Sequence, residues 1–122
     1  KENETKVELY NCDNADIIVT AYGTTARIIK KVIEMGKKEG INIGLIRPIT
    51  LWPFPEHAFN DMASRESTKA FLCVEMSMGQ MIDDVRISVN GKKPVYFYGR
   101  TGGMVPRPDA ILQEIKKIRG DI

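Results

Sequence analysis

Ile41–Pro55 reads INIGLIRPITLWPFP, and its two halves follow different rules. From Ile43 to Ile46 the chain is apolar and mostly β-branched, interrupted by Gly44, the pattern of a short strand buried inside a sheet. Arg47-Pro48 is expected to end that strand, because proline has no N–H to donate and biases the residue before it away from helix. The second half carries the single Trp of the chain, Trp52, with Phe54, Pro53 and Pro55 close by. A segment this apolar and this stiff is expected to lie against its own domain or a partner, at the carboxyl edge of the sheet.

The flanking residues supply the rest of that sheet. Residues 1–6 are polar and read as frayed. Val7–Tyr10 alternates like a short edge strand, and Asn11–Asn14 is a turn cluster. Asp16–Ala21 is a second buried strand, with Ile17, Ile18 and Val19 in a row. Tyr22–Thr25 leads into a helix that runs to about Glu39, with Thr24 or Thr25 available as N-cap. Ile28, Ile29, Val32, Ile33 and Gly36 form its inward stripe, Arg27, Lys30, Lys31, Glu34, Lys37 and Lys38 its wet face, and Gly40 its stop.

Beyond the tryptophan segment, Pro55 suits the first position of a short helix ending near Met62. Ala70–Glu75, AFLCVE, is a further buried strand. Met76–Gln80 turns into a helix with Met78, Met81, Ile82, Val85 and Val89 on one side, closed by Asn90-Gly91. Val95–Tyr98 is the last strand and Gly99–Pro106 a glycine-rich loop. Pro108 opens a final helix with Ile111, Leu112, Ile115 and Ile118 inward and Gly120 as its stop. Strands alternating with helices predict right-handed crossovers and a mainly parallel α/β sheet covered on both faces. Val7–Tyr10 lies too close to Asp16 for a crossover and is expected at an edge or antiparallel.

A chain of 122 residues suits one domain, with 43% hydrophobic and 28% charged residues in the ordinary globular range. A formal net charge of +2 gives no electrostatic case for nucleic acid or an anionic membrane. No apolar run is long enough to span a bilayer and no signal-peptide pattern opens the chain. Its first residue is Lys1, as in a processed protein or a piece of a longer one. Cys12 and Cys73 have no C-x-x-C or zinc spacing, and two cysteines with one histidine cannot supply an ordinary four-thiolate iron–sulfur cluster. Cys73, inside an apolar run, reads as a core residue, and the cysteine usage suits a reducing, cytoplasmic location.

Chemistry in such a sheet belongs at the carboxyl ends of the strands. Gly23-Thr24-Thr25 is either an ordinary capped helix start or a place where backbone N–H groups meet an anion. One glycine where a dinucleotide fingerprint needs three, and Arg47 where an acid would read a ribose, exclude that fingerprint. Arg100-Thr101-Gly102-Gly103 can cradle a phosphate or serve as a turn needing positive φ; it lacks the Lys-Ser/Thr ending of a P-loop. Glu75 lies before a helix N-terminus, where a carboxylate is favoured whatever its function. Met76, Met78 and Met81 suit core packing or an adaptable contact surface, and His57, beside Glu56, reads as a surface residue. No catalytic triad, carboxylate dyad or metal site assembles. The residues thus describe an α/β domain without its own chemistry, or an independent anion- or nucleotide-binding module.

Four strings add a resemblance: VTAYGTTARI at 19–28, GLIRPITLWPFP at 44–55, VEMSMGQMIDDVR at 74–86 and VYFYGRTGG at 95–103. Together they resemble the C-terminal domain of the alpha subunit of 2-oxoacid:ferredoxin oxidoreductases, in the branch acting on 2-oxoisovalerate or 2-oxoglutarate. The resemblance runs from about Asp16 onward. It implies a transketolase C-terminal-like fold, a three-layer α/β/α sandwich with a five-stranded, mainly parallel sheet and one antiparallel strand, a role for Val7–Tyr10. It also implies that residues 1–122 form a single C-terminal domain of a larger enzyme. That enzyme uses thiamine diphosphate, Mg²⁺, iron–sulfur clusters and coenzyme A, and passes electrons to ferredoxin. The family's cofactor motifs match no position here, so no catalytic, cofactor-binding or metal residue is carried over. What remains is an assembly domain whose partners are the other domains and subunits of the enzyme. Its candidate interface or anion-contact residues are Thr24, Thr25, Arg47, Trp52, Phe54, Gln80, Arg100, Gly102 and Gly103.

Overall fold

The computed structural model describes residues 7–21, 25–49, 55–75, 80–99 and 107–121, the side chains of Gln80, Met81 and Asp121 excepted. The elements, in order, are β1 (Val7–Tyr10), β2 (Ile17–Thr20), α1 (Thr25–Lys38), β3 (Ile43–Pro48), α2 (Glu56–Ala63), β4 (Ala70–Glu75), α3 (Gln80–Val89), β5 (Val95–Gly99) and α4 (Pro108–Asp121). They build one five-stranded sheet in the order β1-β3-β2-β4-β5. β1 runs antiparallel to β3, with Glu8 opposite Arg47 and Leu9 opposite Ile46. The other pairs are parallel, with Val19 between Leu45 and Leu72.

The alternation of each strand divides the apolar residues between two cores. Ile17, Val19, Ile43, Leu45, Leu72 and Val74 face α1 and α4, meeting Ile29, Val32, Ile33, Ile111 and Ile115. Ile18, Ile46, Phe71 and Cys73 face the other way, toward Phe59 and Met62 of α2 and Ile82, Val85 and Val89 of α3. The chain is therefore a three-layer α/β/α sandwich. Burial of each of these large side chains contributes about 1.5–3 kcal/mol, which offsets the loss of chain entropy.

α1 is amphipathic for the reason its sequence predicts, with Ile29, Val32, Ile33 and Gly36 buried. Gly36 is a packing glycine: a Cβ there would come within 2.7 Å of the Ile43 side chain and 3.3 Å of the Ile41 carbonyl. The helix ends where Gly40 adopts φ +77°. Its N–H donates to Lys37 O at 3.1 Å and that of Ile41 to Gly36 O at 2.9 Å, closing two of the helix's last carbonyls.

Three boundary residues and one stripe residue differ from expectation. Pro48 does not stop β3 but closes it, paired with Val7 of β1. A terminal strand position does not require the N–H that proline lacks. Pro55 sits at the N-cap of α2 rather than inside it. Gly120 lies within α4, which continues to Asp121, because glycine weakens a helix without breaking it. Ile28, assigned to the inward stripe, is half-buried.

Candidate functional site at the carboxyl edge

Because β2, β3, β4 and β5 are parallel, their carboxyl ends gather along one edge of the sheet. Thr20, Arg47-Pro48, Glu75 and Gly99 stand there, and the crossovers bring the first turns of α1 and α3 to the same edge. Of the candidate residues, Thr24, Trp52, Phe54, Arg100, Gly102 and Gly103 lie outside the described residues, as does the side chain of Gln80. Thr25 is buried as the first residue of α1. Met76, Met78 and Met81 are likewise undescribed in their side chains.

Glu75 is the most deeply buried charge of this edge, 1% exposed at the end of β4. Its Oε2 accepts the Ile82 N–H at 3.1 Å, an otherwise orphan donor in the first turn of α3. The helix dipole favours a carboxylate at that point. The end of β4 is thus tied to the first turn of α3 through one carboxylate. The Cys73 thiol lies 3.8 Å from the same oxygen. Burial first, and the Glu75 charge second, push that thiol far above its ordinary range, so Cys73 stays protonated and is no thiolate nucleophile at neutral pH. Thr20 is the neighbour of Cys73 in register and is fully buried, and its hydroxyl has no hydrogen-bond partner among the described residues.

On the opposite side of the sheet, Arg47 meets Glu8 of its own chain, Nη1 donating to Oε1 at 3.1 Å. Lys30 of α1 donates to the other carboxylate oxygen at 3.0 Å. These two hydrogen bonds, that from Lys30 first, hold the Glu8 carboxyl below its ordinary value. The Arg47 Nε is buried without a hydrogen-bond partner among the described residues. Lys30 also lies 5.3 Å from the centre of the Tyr10 ring, so one carboxylate and one aromatic of β1 fasten this edge strand to α1.

The sequence reading named Arg47 and Glu75 but not Glu8 or Thr20. Glu8 could be found only by knowing that β1 pairs with β3 in the register that sets residue 8 opposite 47. Thr20 looks like any β-branched strand residue. Among the described residues, no group of three or more His, Cys, Asp or Glu side chains could hold a metal ion. His57 is exposed on α2, and no helix among the described residues is long and apolar enough to cross a membrane. Among the described residues of this edge, Glu75 and Arg47 are engaged with their own fold.

Comparison with known proteins agrees with this architecture. Residues 15–111 match the family described as pyruvate:ferredoxin oxidoreductase core domain II. The ketoisovalerate oxidoreductase subunit VorB of Methanothermobacter thermautotrophicus is 39% identical over 121 residues, which is 99% of this chain and 34% of VorB. This chain therefore spans about a third of the length of that relative. Among solved structures, the 2-oxoglutarate:ferredoxin oxidoreductase from Magnetococcus marinus, with 2-oxoglutarate, coenzyme A and succinyl-CoA bound, superimposes with a TM-score of 0.79. That match has 21% identity and covers 92% of this chain and 19% of the other. A split-gene transketolase, described as an inactive β4 tetramer, gives a TM-score of 0.74 at 16% identity, over 92% of this chain and 40% of the other. At these identities the structural likeness speaks for a shared transketolase-like fold. The family match, which covers most of the chain, together with the VorB relative, gives the identification: the chain belongs to the pyruvate:ferredoxin oxidoreductase core domain II family.

Proposed function

We propose that this chain is a C-terminal, transketolase-like assembly domain in a subunit of a cytoplasmic 2-oxoacid:ferredoxin oxidoreductase. The parent enzyme oxidatively decarboxylates a 2-oxoacid, forms an acyl-CoA and reduces ferredoxin. The observation that carries the reading is the family match over residues 15–111, together with the resemblance to VorB along nearly the whole chain. The 2-oxoacid is 2-oxoisovalerate or 2-oxoglutarate. Similarity extends to proteins named for each.

Thiamine diphosphate, Mg²⁺, iron–sulfur clusters and coenzyme A belong to the parent enzyme. The described residues of this domain do not fit the metal or the clusters: the two thiols are buried and protonated, and Glu75 is committed to α3. No chemical step is therefore assigned to its side chains. Its contribution is positional: a rigid sheet presents a row of loop attachments at one edge, and other domains and subunits of the enzyme rest on them. Thr24, Thr25, Arg47, Trp52, Phe54, Gln80, Arg100, Gly102 and Gly103 are the residues through which we place that contact.

The test is an assay of the isolated chain with thiamine diphosphate, Mg²⁺, coenzyme A, several 2-oxoacids and an electron acceptor. No acyl-CoA is expected from the chain alone, whereas the complete enzyme bearing it should turn over at least one of the 2-oxoacids. Acyl-CoA formation by the isolated chain, or an intact parent that oxidises no 2-oxoacid, would contradict the proposal.

A further inference from the structure

The ion pairs of this fold leave a residue of unpaired charge that is sorted by layer. α1 carries five cations and a single carboxylate. Lys30 is taken by Glu8, and Lys37 lies 3.8 Å from Glu34. Arg27, Lys31 and Lys38 are exposed and have no ion-pair or hydrogen-bond partner among the described residues. Their spacings of four and seven residues set them on one side of the helix, along about 16 Å of its length. α2 and α3, on the far side of the sheet, carry four carboxylates and one arginine. Glu56, Asp61, Asp83 and Asp84 are exposed there, their carboxylates also without ion-pair or hydrogen-bond partners among the described residues.

Local physics accounts for part of this pattern. Glu56 opens α2 and Asp83 lies in the first turn of α3, where the helix dipole favours an acid. Lys38, in the last turn of α1, is favoured in the same way. Arg27 is not. It occupies the third position of α1, in a first turn without any acid, where a cation opposes the dipole. A surface charge that works against its own helix, with no carboxylate to compensate it, points outward for its explanation.

We propose that the stripe Arg27–Lys31–Lys38 docks a carboxylate-rich face of a neighbouring subunit of the parent enzyme. The inference rests on the reading of this chain as one domain of a multi-subunit oxidoreductase, to which three observations add. The relative VorB is itself named as an oxidoreductase subunit, and this chain covers 34% of it, which supports a setting among other parts of an enzyme. The stripe begins at the first turn of α1, at the carboxyl edge where Arg47 also stands, so it continues that edge down one side of the sandwich. Unpaired cations complement acids and steer their approach, which makes the contact specific and salt-dependent.

The experiment replaces Arg27, Lys31 and Lys38 together with glutamine in the complete subunit and measures its association with its partner subunits by sedimentation at low salt and at about 0.3 M salt. Glutamine is close to lysine and arginine in helix propensity, so the fold is kept. The expected result is association at least about tenfold weaker than wild type at low salt, with a flatter salt dependence. The melting temperature of the isolated variant should be equal to that of wild type or higher, because a cation has left the first turn of α1. Wild-type association by the triple variant would overturn the proposal. So would salt-sensitive self-association of the isolated wild-type chain that the variant abolishes, since it would assign the stripe to the acidic layer of a second copy. An enzyme that assembles through the stripe but oxidises no 2-oxoacid would count against the proposed activity alone. An active enzyme whose assembly ignores the three substitutions would count against the stripe alone.

Discussion

The two faces of the sheet share the same inner strands and are finished in different ways. Toward α1 and α4, each 14 residues long, the buried core is entirely aliphatic. Toward α2 and α3, of 8 and 10 residues, it mixes two phenylalanines, a methionine and both cysteines. Thr20 and Ser88 are buried among or beside them, and so is Glu75. Phe59 and Phe71 fill with large rings, 6.3 Å between centroids, what longer helices would fill with more side chains. The difference teaches that stability and polarity are separated in this domain. One face is a dry clamp of β-branched residues, and the other admits polar atoms near the edge where its loops leave the sheet.

The sharpest way to break this comparison is to make the same cut on both faces of one strand. Ile43 and Ile46 are fully buried in β3, the first facing α1 and the second facing α2. Each change to alanine should cost about 2–5 kcal/mol in urea unfolding. Ile43→Ala is expected to be the costlier, because the close approach at Gly36 leaves α1 no room to collapse further into the gap. A loss below about 1 kcal/mol at Ile46 would mean that the α2 face is not a packed core at all.

A smaller effect separates the faces by pH. The Cys12 and Cys73 thiols belong to the α2/α3 face, and burial raises both above the ordinary value of 9.0. Above that pH the unfolded chain releases thiol protons that the folded chain keeps. The unfolded state then binds fewer protons, so stability falls as pH rises, by at most about 1.4 kcal/mol per pH unit for each thiol. Unfolding midpoints measured from pH 8 to 10 should show that slope, and Cys73→Ala should reduce it. The slope, not the offset, is the readout, since the substitution also leaves a cavity. An unchanged slope would place the titrating group elsewhere.

The smallest effect sharpens the α1 side. Glu8 is held below its ordinary value of 4.5 by Lys30 and Arg47. Its contribution is therefore complete above pH 4.5 and lost as pH falls through the lowered value. The pair partners are about a third exposed, so Glu8→Gln should cost less than about 1 kcal/mol at neutral pH, and less still in high salt. A cost that salt leaves unchanged would show that Glu8 acts by packing instead.

Much of this fold was legible in advance because its signals are local. AFLCVE predicted β4 to the residue, and the inward stripes of α3 and α4 followed from spacing at Ile82, Val85 and Val89 and at Ile111, Leu112, Ile115 and Ile118. Pro48 and Gly120 misled because breaker residues act through what they deny their neighbours, and at those two positions nothing was denied. The polar contacts were not legible. Arg47 suggested a carboxylate across an interface, yet a carboxylate lies 39 positions back in the same chain, brought there by a strand pairing that no local pattern encodes. The candidate site shares that difficulty, being made from four separate strand ends.

The place of β1 has a further consequence, in time rather than in space. β2, α1 and β3 are consecutive and can assemble as they leave the ribosome, each finding a neighbour just made. β1 is the exception: it precedes the other strands of this domain in the chain, yet it pairs with none of the residues that follow it directly. Tyr10 waits for Leu45, and Val7 for Pro48. Throughout that interval its backbone donors and acceptors stay open, and Leu9, still 48% exposed in the finished fold, is bare. A domain of this kind folds outward from β2 and recruits β1 late, so β1 remains vulnerable to foreign strands longer than the elements made after it.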